Sequence, residues 1–340
     1  MQNSTSTRAL INDFCDEIGR DRLLVQGAGG NISWKEENIL YVKASGMKLS
    51  AAKEKNIFVP VGLLELQQDL AEEKFNIKPI ALPEGDTQLK PSIETLMHAM
   101  LPFKFVLHLH AIDTLAILVR KNAKSIISNE LKDAFNYSFV DYHQPGELLA
   151  KAIYRSIEKS CPDIIFLKNH GIVIGSNSLD DLSALLKKIN SIFKPSNSTL
   201  VKPTRLRNTP SNLMGYTLIH EEDLLSLVSD EALFTRLKNC WVLYPDHVVF
   251  LGPKPLIFDD AESFELFLQN SPPPSLVFIK NMGVYVDSQF TLAQLEQLRC
   301  YYDVISRQDS NNLIESLTSE DISKLMNWDA EKYRIEMSNQ

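Results

Sequence analysis

The sequence predicts an α/β or α+β protein rather than an all-parallel one. Segments of strand character alternate with amphipathic segments, and several strand pairs are separated only by a tight turn, as in hairpins. A shift to Pro-, Ser-, Thr- and Asn-rich sequence over 195–213 reads as a linker and divides the chain in two.

In chain order, residues 8–24 place Leu10, Ile11, Phe14, Ile18, Leu23 and Leu24 at helical spacing, predicting an amphipathic first helix. A glycine cluster, Gly27-Ala-Gly-Gly-Asn31, follows and leads into a strand at Ile32-Ser-Trp34. Glycines there permit positive φ and close backbone approach, and exposed amides in such a turn can bind an anion. Plain turn chemistry is the simpler alternative. Ile39 to Lys43 reads as the second strand of a hairpin, ending in Ala44-Ser45-Gly46. Val61 to Phe75 mixes strand and helix character, and 76–90 reads as a loop carrying Pro79, Pro83 and Gly85. Ser92 is placed to cap a helix, with Glu94 in its first turn.

Val106 to His110 reads as a strand, Ile112 to Val119 as a helix and Phe139 to Tyr142 as a strand. A turn, Tyr142-His-Gln-Pro-Gly146, precedes a helix from Glu147 to Ile157. Ile164 to Leu167 and Gly171 to Gly175 form a hairpin-like pair around His170. Ser178 then caps a helix that runs to about Phe193.

Side chains two apart on a strand face the same side, so His108 and His110 present two imidazoles together. That spacing suits two ligands of one metal ion. With His170 and Glu94 they would make a catalytic type of metal set, if the fold gathers them. Spacing alone leaves a second reading open, of histidines satisfied within an apolar core. Likewise the carboxylate of Glu94 can serve the helix start alone. His98, one turn beyond Glu94, reads as support for that helix.

Composition narrows the classes. The 340 residues carry a net charge of −8, with 44% hydrophobic and 23% charged residues. This is ordinary for a globular protein and argues against a nucleic-acid-binding surface. No apolar run is long enough to span a membrane, and the N-terminus lacks signal-peptide character. The four cysteines (Cys15, Cys161, Cys240, Cys300) form no Cys-x-x-Cys pair, which suits free thiols in a cytoplasmic protein.

Beyond the linker the chain repeats part of itself. Phe166-Leu-Lys-Asn-His-Gly-Ile-Val-Ile matches Phe278-Ile-Lys-Asn-Met-Gly-Val-Tyr-Val, and a capped helix follows each, starting at Ser178 and Thr291. Met282 stands where His170 stood, and the second half has no His-x-His.

Six stretches occur in order: Gly-Ala-Gly-Gly-Asn (27–31), Ala-Ser-Gly (44–46), Pro-Ser-Ile-Glu (91–94), His-x-His (108–110), Tyr-x-x-Pro-Gly (142–146) and Lys-Asn-His-Gly (168–171). Together they resemble the class II aldolase and adducin superfamily, and Lys-Pro-Ser-Ile-Glu-Thr resembles the rhamnulose-phosphate aldolase type most. The resemblance implies a three-layer α/β/α sandwich around a mainly antiparallel sheet over 1–195. Residues 214–340 would form a smaller, degenerate aldolase-like domain. It implies one zinc, or another divalent metal ion, per chain, held by His108, His110 and His170 with Glu94 near or on it. The activity implied is reversible aldol cleavage of a ketose or ketose phosphate through a metal-stabilised enediolate. Glu94 would move the proton at the nucleophilic carbon. Tyr142, from a neighbouring subunit of a homo-oligomer, would serve the aldehyde oxygen. Gly30, Asn31, Ser45, Gly46 and Ser92 match the substrate-phosphate positions. Ile93 departs from the pattern, since relatives often have a second serine there, which puts tight phosphate binding in question. Epimerase or sugar-acid-phosphate decarboxylase chemistry on the same scaffold is the enzymatic alternative, and a non-catalytic adducin-like interaction module the other. Epimerase relatives carry Asp where this chain has Glu94, and adducin heads lack the three histidines.

Overall fold

A computed structural model describes residues 6–83, 88–132, 134–158, 160–195, 206 and 209–328. The chain divides into two compact units. The first runs to Lys194 and takes in Asn327 and Trp328, and the second is Pro195–Met326. Most of the expected linker, 196–205 with 207 and 208, lies outside the described residues. Its last two residues are not linker: they form a short strand of the second unit. The stretch 76–90 contributes no named helix or strand in its described part, and 84–87 lie outside the described residues.

The first unit starts with helix α1 (Thr7–Gly19), capped by the Ser6 hydroxyl, which accepts the Ala9 amide hydrogen bond. The helix stops five residues short of the expected end at 24. A Cβ on Gly19 would lie 2.4 Å from the Ser50 nitrogen, so the backbone there packs too closely for any side chain. Strands β1 (Asn31–Glu36), β2 (Ile39–Lys43) and β3 (Phe58–Gly62) follow, then helices α2 (Leu63–Ala71) and α3 (Thr95–Met100). After β4 (Phe105–Leu109) come α4 (Ile112–Leu118) and α5 (Ala123–Leu131). Next are β5 (Tyr137–Val140), α6 (Glu147–Ile157), β6 (Ile164–Leu167), β7 (Gly171–Ser176) and α7 (Leu179–Phe193). The strands form one seven-stranded sheet in the order β3-β2-β1-β4-β7-β6-β5. Only β5 and β6 pair in parallel, so the sheet is mainly antiparallel, as expected.

Alternation along the strands builds the two apolar layers. Leu107, Leu109, Ile172 and Ile174 pack with Leu182, Leu186 and Ile189 of α7. Val106, Ile165, Leu167 and Val173 point the other way and pack with Met97 of α3 and with Leu149 and Ile153 of α6. A sheet with helices on both faces is the three-layer sandwich. The period-two rule puts His108 on the Val106 face, beside α3.

The second unit comprises β8 (Asn212–Leu213), β9 (Tyr216–Leu218), α8 (Glu222–Ser229), α9 (Glu231–Asn239), α10 (Pro245–Leu251), β10 (Ile257–Phe258) and α11 (Ala261–Asn270). It ends with β11 (Leu276–Ile279), β12 (Gly283–Val286), α12 (Leu292–Ser306) and α13 (Ser319–Met326). Its five strands are ordered β10-β11-β12-β9-β8. Among the described residues no helix is long and apolar enough to cross a membrane.

Candidate metal centre

The register of the sheet brings the histidines together. Leu109 pairs with Ile172, so the end of β4 lies beside the turn between β6 and β7, where His170 sits. That turn needs Asn169 at φ 51°, a left-handed conformation that Asn tolerates. It also needs Gly171. A Cβ there would lie 2.3 Å from the Leu109 carbonyl oxygen and about 3 Å from the rings, at 3.1 Å from His108 Cε1 and 3.2 Å from His110 Cδ2. The bare glycine lets the imidazoles close over the turn.

Among the described residues, His108, His110 and His170 form the one group whose side-chain nitrogens could hold a metal ion, all within 4.8 Å of one another. Their ring centroids are 4.9–5.4 Å apart. His108 is fully buried, with His110 and His170 nearly so. His108 Nδ1 donates to the Ile172 carbonyl at 3.1 Å, which leaves the Nε2 lone pair facing inward. That Nε2 lies 3.2 Å from His110 Nε2. With its lone pair inward, His108 Nε2 can accept a hydrogen bond from His110 Nε2–H, and the same nitrogens are of the type that ligates zinc.

Glu94 closes the group. Its Oε2 is 3.5 Å from His108 Nε2 and its Oε1 is 3.3 Å from His170 Nε2. Burial pushes its carboxyl pKa up, but the facing His108 and His170, the Asn31 hydrogen bond and His110 outweigh that and hold it down at about 2. Ser92 is not the helix cap that its position suggested. Helix α3 begins at Thr95 with Glu94 itself at the cap position, and the Ser92 hydroxyl accepts the Glu94 amide at 3.2 Å. Ser92 therefore pins the Glu94 backbone rather than the helix start.

The remaining expected residues fall around this centre. Asn31 is opposite His108 across β1 and β4, and Gly30 (φ 63°) brings its backbone against the His108 carbonyl. The Ser45 amide donates to the Lys90 carbonyl at 2.9 Å and the Ser92 amide to the Lys43 carbonyl at 3.1 Å, so Ser45, Gly46 and Ser92 share one corner. Buried Lys43 ties that corner to the glycine turn, its Nζ donating to the Ala28 carbonyl at 2.9 Å. Tyr142 is half-buried in the loop after β5, an edge strand separated from β4 by β7 and β6. The sheet order does not carry it to the histidine cluster.

The structure adds a chain of hydrogen bonds that spacing did not reveal. Asn31 Nδ2 donates to Glu94 Oε2 at 2.8 Å, and Asn31 Oδ1 meets His98 Nε2. Because the amide oxygen can only accept, His98 Nε2 carries the proton, and its Nδ1 accepts from the Ser33 hydroxyl at 2.8 Å. All four side chains are buried. Burial pushes His98 down to about 3, so it is the neutral tautomer that holds Asn31. The one signal in the sequence was two polar residues, Asn31 and Ser33, two apart on β1 and so on one face of it.

Three buried imidazoles and a buried carboxylate thus gather at one strand end of an α/β sandwich, a set that could hold a metal ion. The model of the class II aldolase and adducin N-terminal domain matches residues 10–194, and the chain belongs to that family. An L-fuculose phosphate aldolase of Methanocaldococcus jannaschii is 28% identical over 167 residues, covering 47% of this chain and 80% of that protein. An uncharacterized oxidoreductase of Bacillus subtilis, YuxG, is 29% identical over 171 residues. That match takes in 46% of this chain and only 24% of the Bacillus protein. Among solved structures, the N-terminal class II aldolase domain of a conserved protein from Thermoplasma acidophilum is 26% identical. It covers 57% of this chain and 98% of its own, with a TM-score of 0.46.

Proposed function

We propose that the chain is a divalent-metal-dependent lyase that cleaves a ketose or ketose phosphate by a reversible aldol reaction. The observation that carries this reading is the convergence of the buried His108, His110, His170 and Glu94 at one strand end. The residues fit the ion that the family implies: three imidazole nitrogens, one oriented by a backbone carbonyl, and a carboxylate oxygen, Glu94 Oε1, that accepts no hydrogen bond. When bound, a zinc-class ion supplies Lewis acidity at the substrate carbonyl and stabilises the negative charge developed on cleavage.

The chain's own residues do the rest. The three histidines hold the ion, and the buried surroundings exclude water from it. Glu94 is ionised at neutral pH, the form that can take a proton from the substrate, and Asn31 fixes Oε2 in direction. Ser92 fixes the Glu94 backbone. Gly30, Ser45, Gly46 and Ser92 offer small side chains, and the two serines their hydroxyls, to the substrate's far end. Asn31 has both ends of its amide engaged and acts in this reading as a positioning residue for Glu94 rather than as a phosphate ligand. Tyr142 is assigned to the aldehyde oxygen of a neighbouring subunit's site in a homo-oligomer. The setting proposed is cytoplasmic sugar metabolism.

The test is a coupled assay for aldehyde release over a panel of ketoses and ketose 1-phosphates. The wild type is expected to cleave at least one member, and Glu94→Gln to lower kcat by ~10²–10⁴-fold, the usual loss for a positioned proton-transfer group. Turnover that releases CO2, or inverts one carbon without cleavage, would move the assignment to decarboxylase or epimerase. Equal rates in Glu94→Gln would remove Glu94 from the mechanism.

A further inference from the structure

The two units share more than a nine-residue match. In the first, β4 leads through α4 and α5 to β5, then α6, the β6–β7 hairpin and α7. In the second, β9 leads through α8 and α9, with α10 added, to β10, then α11, the β11–β12 hairpin and α12. Pairing directions agree at every step. β5 is parallel to β6 and β10 to β11, while β6–β7, β7–β4 and β4–β1 are antiparallel, as are β11–β12, β12–β9 and β9–β8.

Individual hydrogen bonds repeat as well. The Asn169 amide donates to the Leu118 carbonyl and the Asn281 amide to Val228; Lys168 donates to Val140 and Lys280 to Phe258. His170 donates to Leu167 and Met282 to Ile279, and Gly175 donates to Asp163 as Asp287 does to Ser275. Asn169 and Asn281 adopt the same left-handed conformation, at φ 51° and 54°.

This register identifies the counterparts of the metal-type ligands. Val173 pairs with His108 and its counterpart Tyr285 pairs with Leu218, so Leu218 holds the place of His108. The would-be Cβ contacts agree: His108 Cε1 lies against Gly171 and Leu218 Cδ1 against Gly283. Two residues on, His220 holds the place of His110, just ahead of α8 as His110 is just ahead of α4. Met282 holds the place of His170. Asp260, two residues past β10 as Tyr142 is past β5, caps α11 through the Ser263 amide instead.

We infer that the second unit is a duplicate of the site-bearing half of the first, in which one ligand of a divalent-cation triad survives, His220, and two have become Leu218 and Met282. The strands and turn that carry the three ligand positions are kept, although His220 is exposed where His110 is buried and no counterpart of α3 with Glu94 is present among the described residues, so the unit adds no metal of its own. Two substitutions therefore suffice to restore a binding site for a zinc-class cation.

The test uses the full chain with His108→Ala and His170→Ala, so that its result does not depend on the reading of the first unit. In that background, Leu218→His with Met282→His is expected to take up about one Co2+ or Zn2+ per chain, read by cobalt absorption and elemental analysis. The further change His220→Ala is expected to abolish it. A variant with native circular dichroism that binds no more metal than its parent overturns the inference. So does uptake that survives His220→Ala. If the double variant does not fold, Met282→His alone is expected to bind Ni2+ more tightly than its parent through two imidazoles, and no gain counts against the inference equally.

Discussion

Glu94 is held from two directions, by imidazoles on one side and by the Ser33–His98–Asn31 chain on the other. The second set makes a prediction about residues that contact neither ion nor substrate. His98→Leu leaves the Asn31 oxygen and the Ser33 hydroxyl buried without their partner. That is expected to lower stability by ~1–3 kcal/mol. It is also expected to lower kcat by ~10–100-fold, as loss of an orienting partner behind a ligand does. KM should change less. His98→Gln, whose amide can still donate toward Asn31, is expected to recover part of kcat, which a purely structural role would not produce. Equal kcat in wild type and His98→Leu would contradict the account. At this scale the sequence was partly legible. His108 and His110 could be paired because the strand period alone places them together. The Asn31–Glu94 bond spans 63 positions, and no local rule reports it.

Elements were legible where a period or a cap marked them, as with α6, α7 and the β6–β7 hairpin. They were less so where tertiary contact decided. Helix α1 ends at Gly19, where the Ser50 backbone lies too close for a side chain, although Leu23 and Leu24 keep the apolar spacing. The start of α3 shifted because Ser92 binds the Glu94 amide, not a helical one. Two helices carry a fully buried imidazole, His98 on α3 and His247 on α10, and burial pushes each from 6.5 down to about 3. In the unfolded chain both would protonate near 6.5, so between about 6.5 and about 3 the unfolded state binds more protons. Stability is then full above about pH 6.5 and falls as the pH drops through that window, by at most ~1.4 kcal/mol per pH unit for each group. Urea midpoints measured from pH 7.5 to 5 should decline, and less steeply in a folded His247→Gln variant. A midpoint that rises on acidification would contradict this assignment.

For the molecule as a whole, the change in composition near residue 195 and the contact boundary at Lys194 lie together, because a chain that leaves one core to start another crosses polar, proline-rich sequence. The shared Lys-Asn-x-Gly turn was visible in the sequence. The likeness of the sheets was not, since pairing directions and register are tertiary facts. The central claim is that one chain binds one divalent ion, through histidines of the first unit. Elemental analysis of untagged protein, as purified and after reconstitution with Zn2+, Mn2+ or Co2+, tests it most directly, with His108→Ala alongside. The account predicts about one ion per wild-type chain and almost none in a folded His108→Ala chain. A wild type that takes up no ion under any of these conditions, or a His108→Ala chain that keeps a full equivalent, would contradict it.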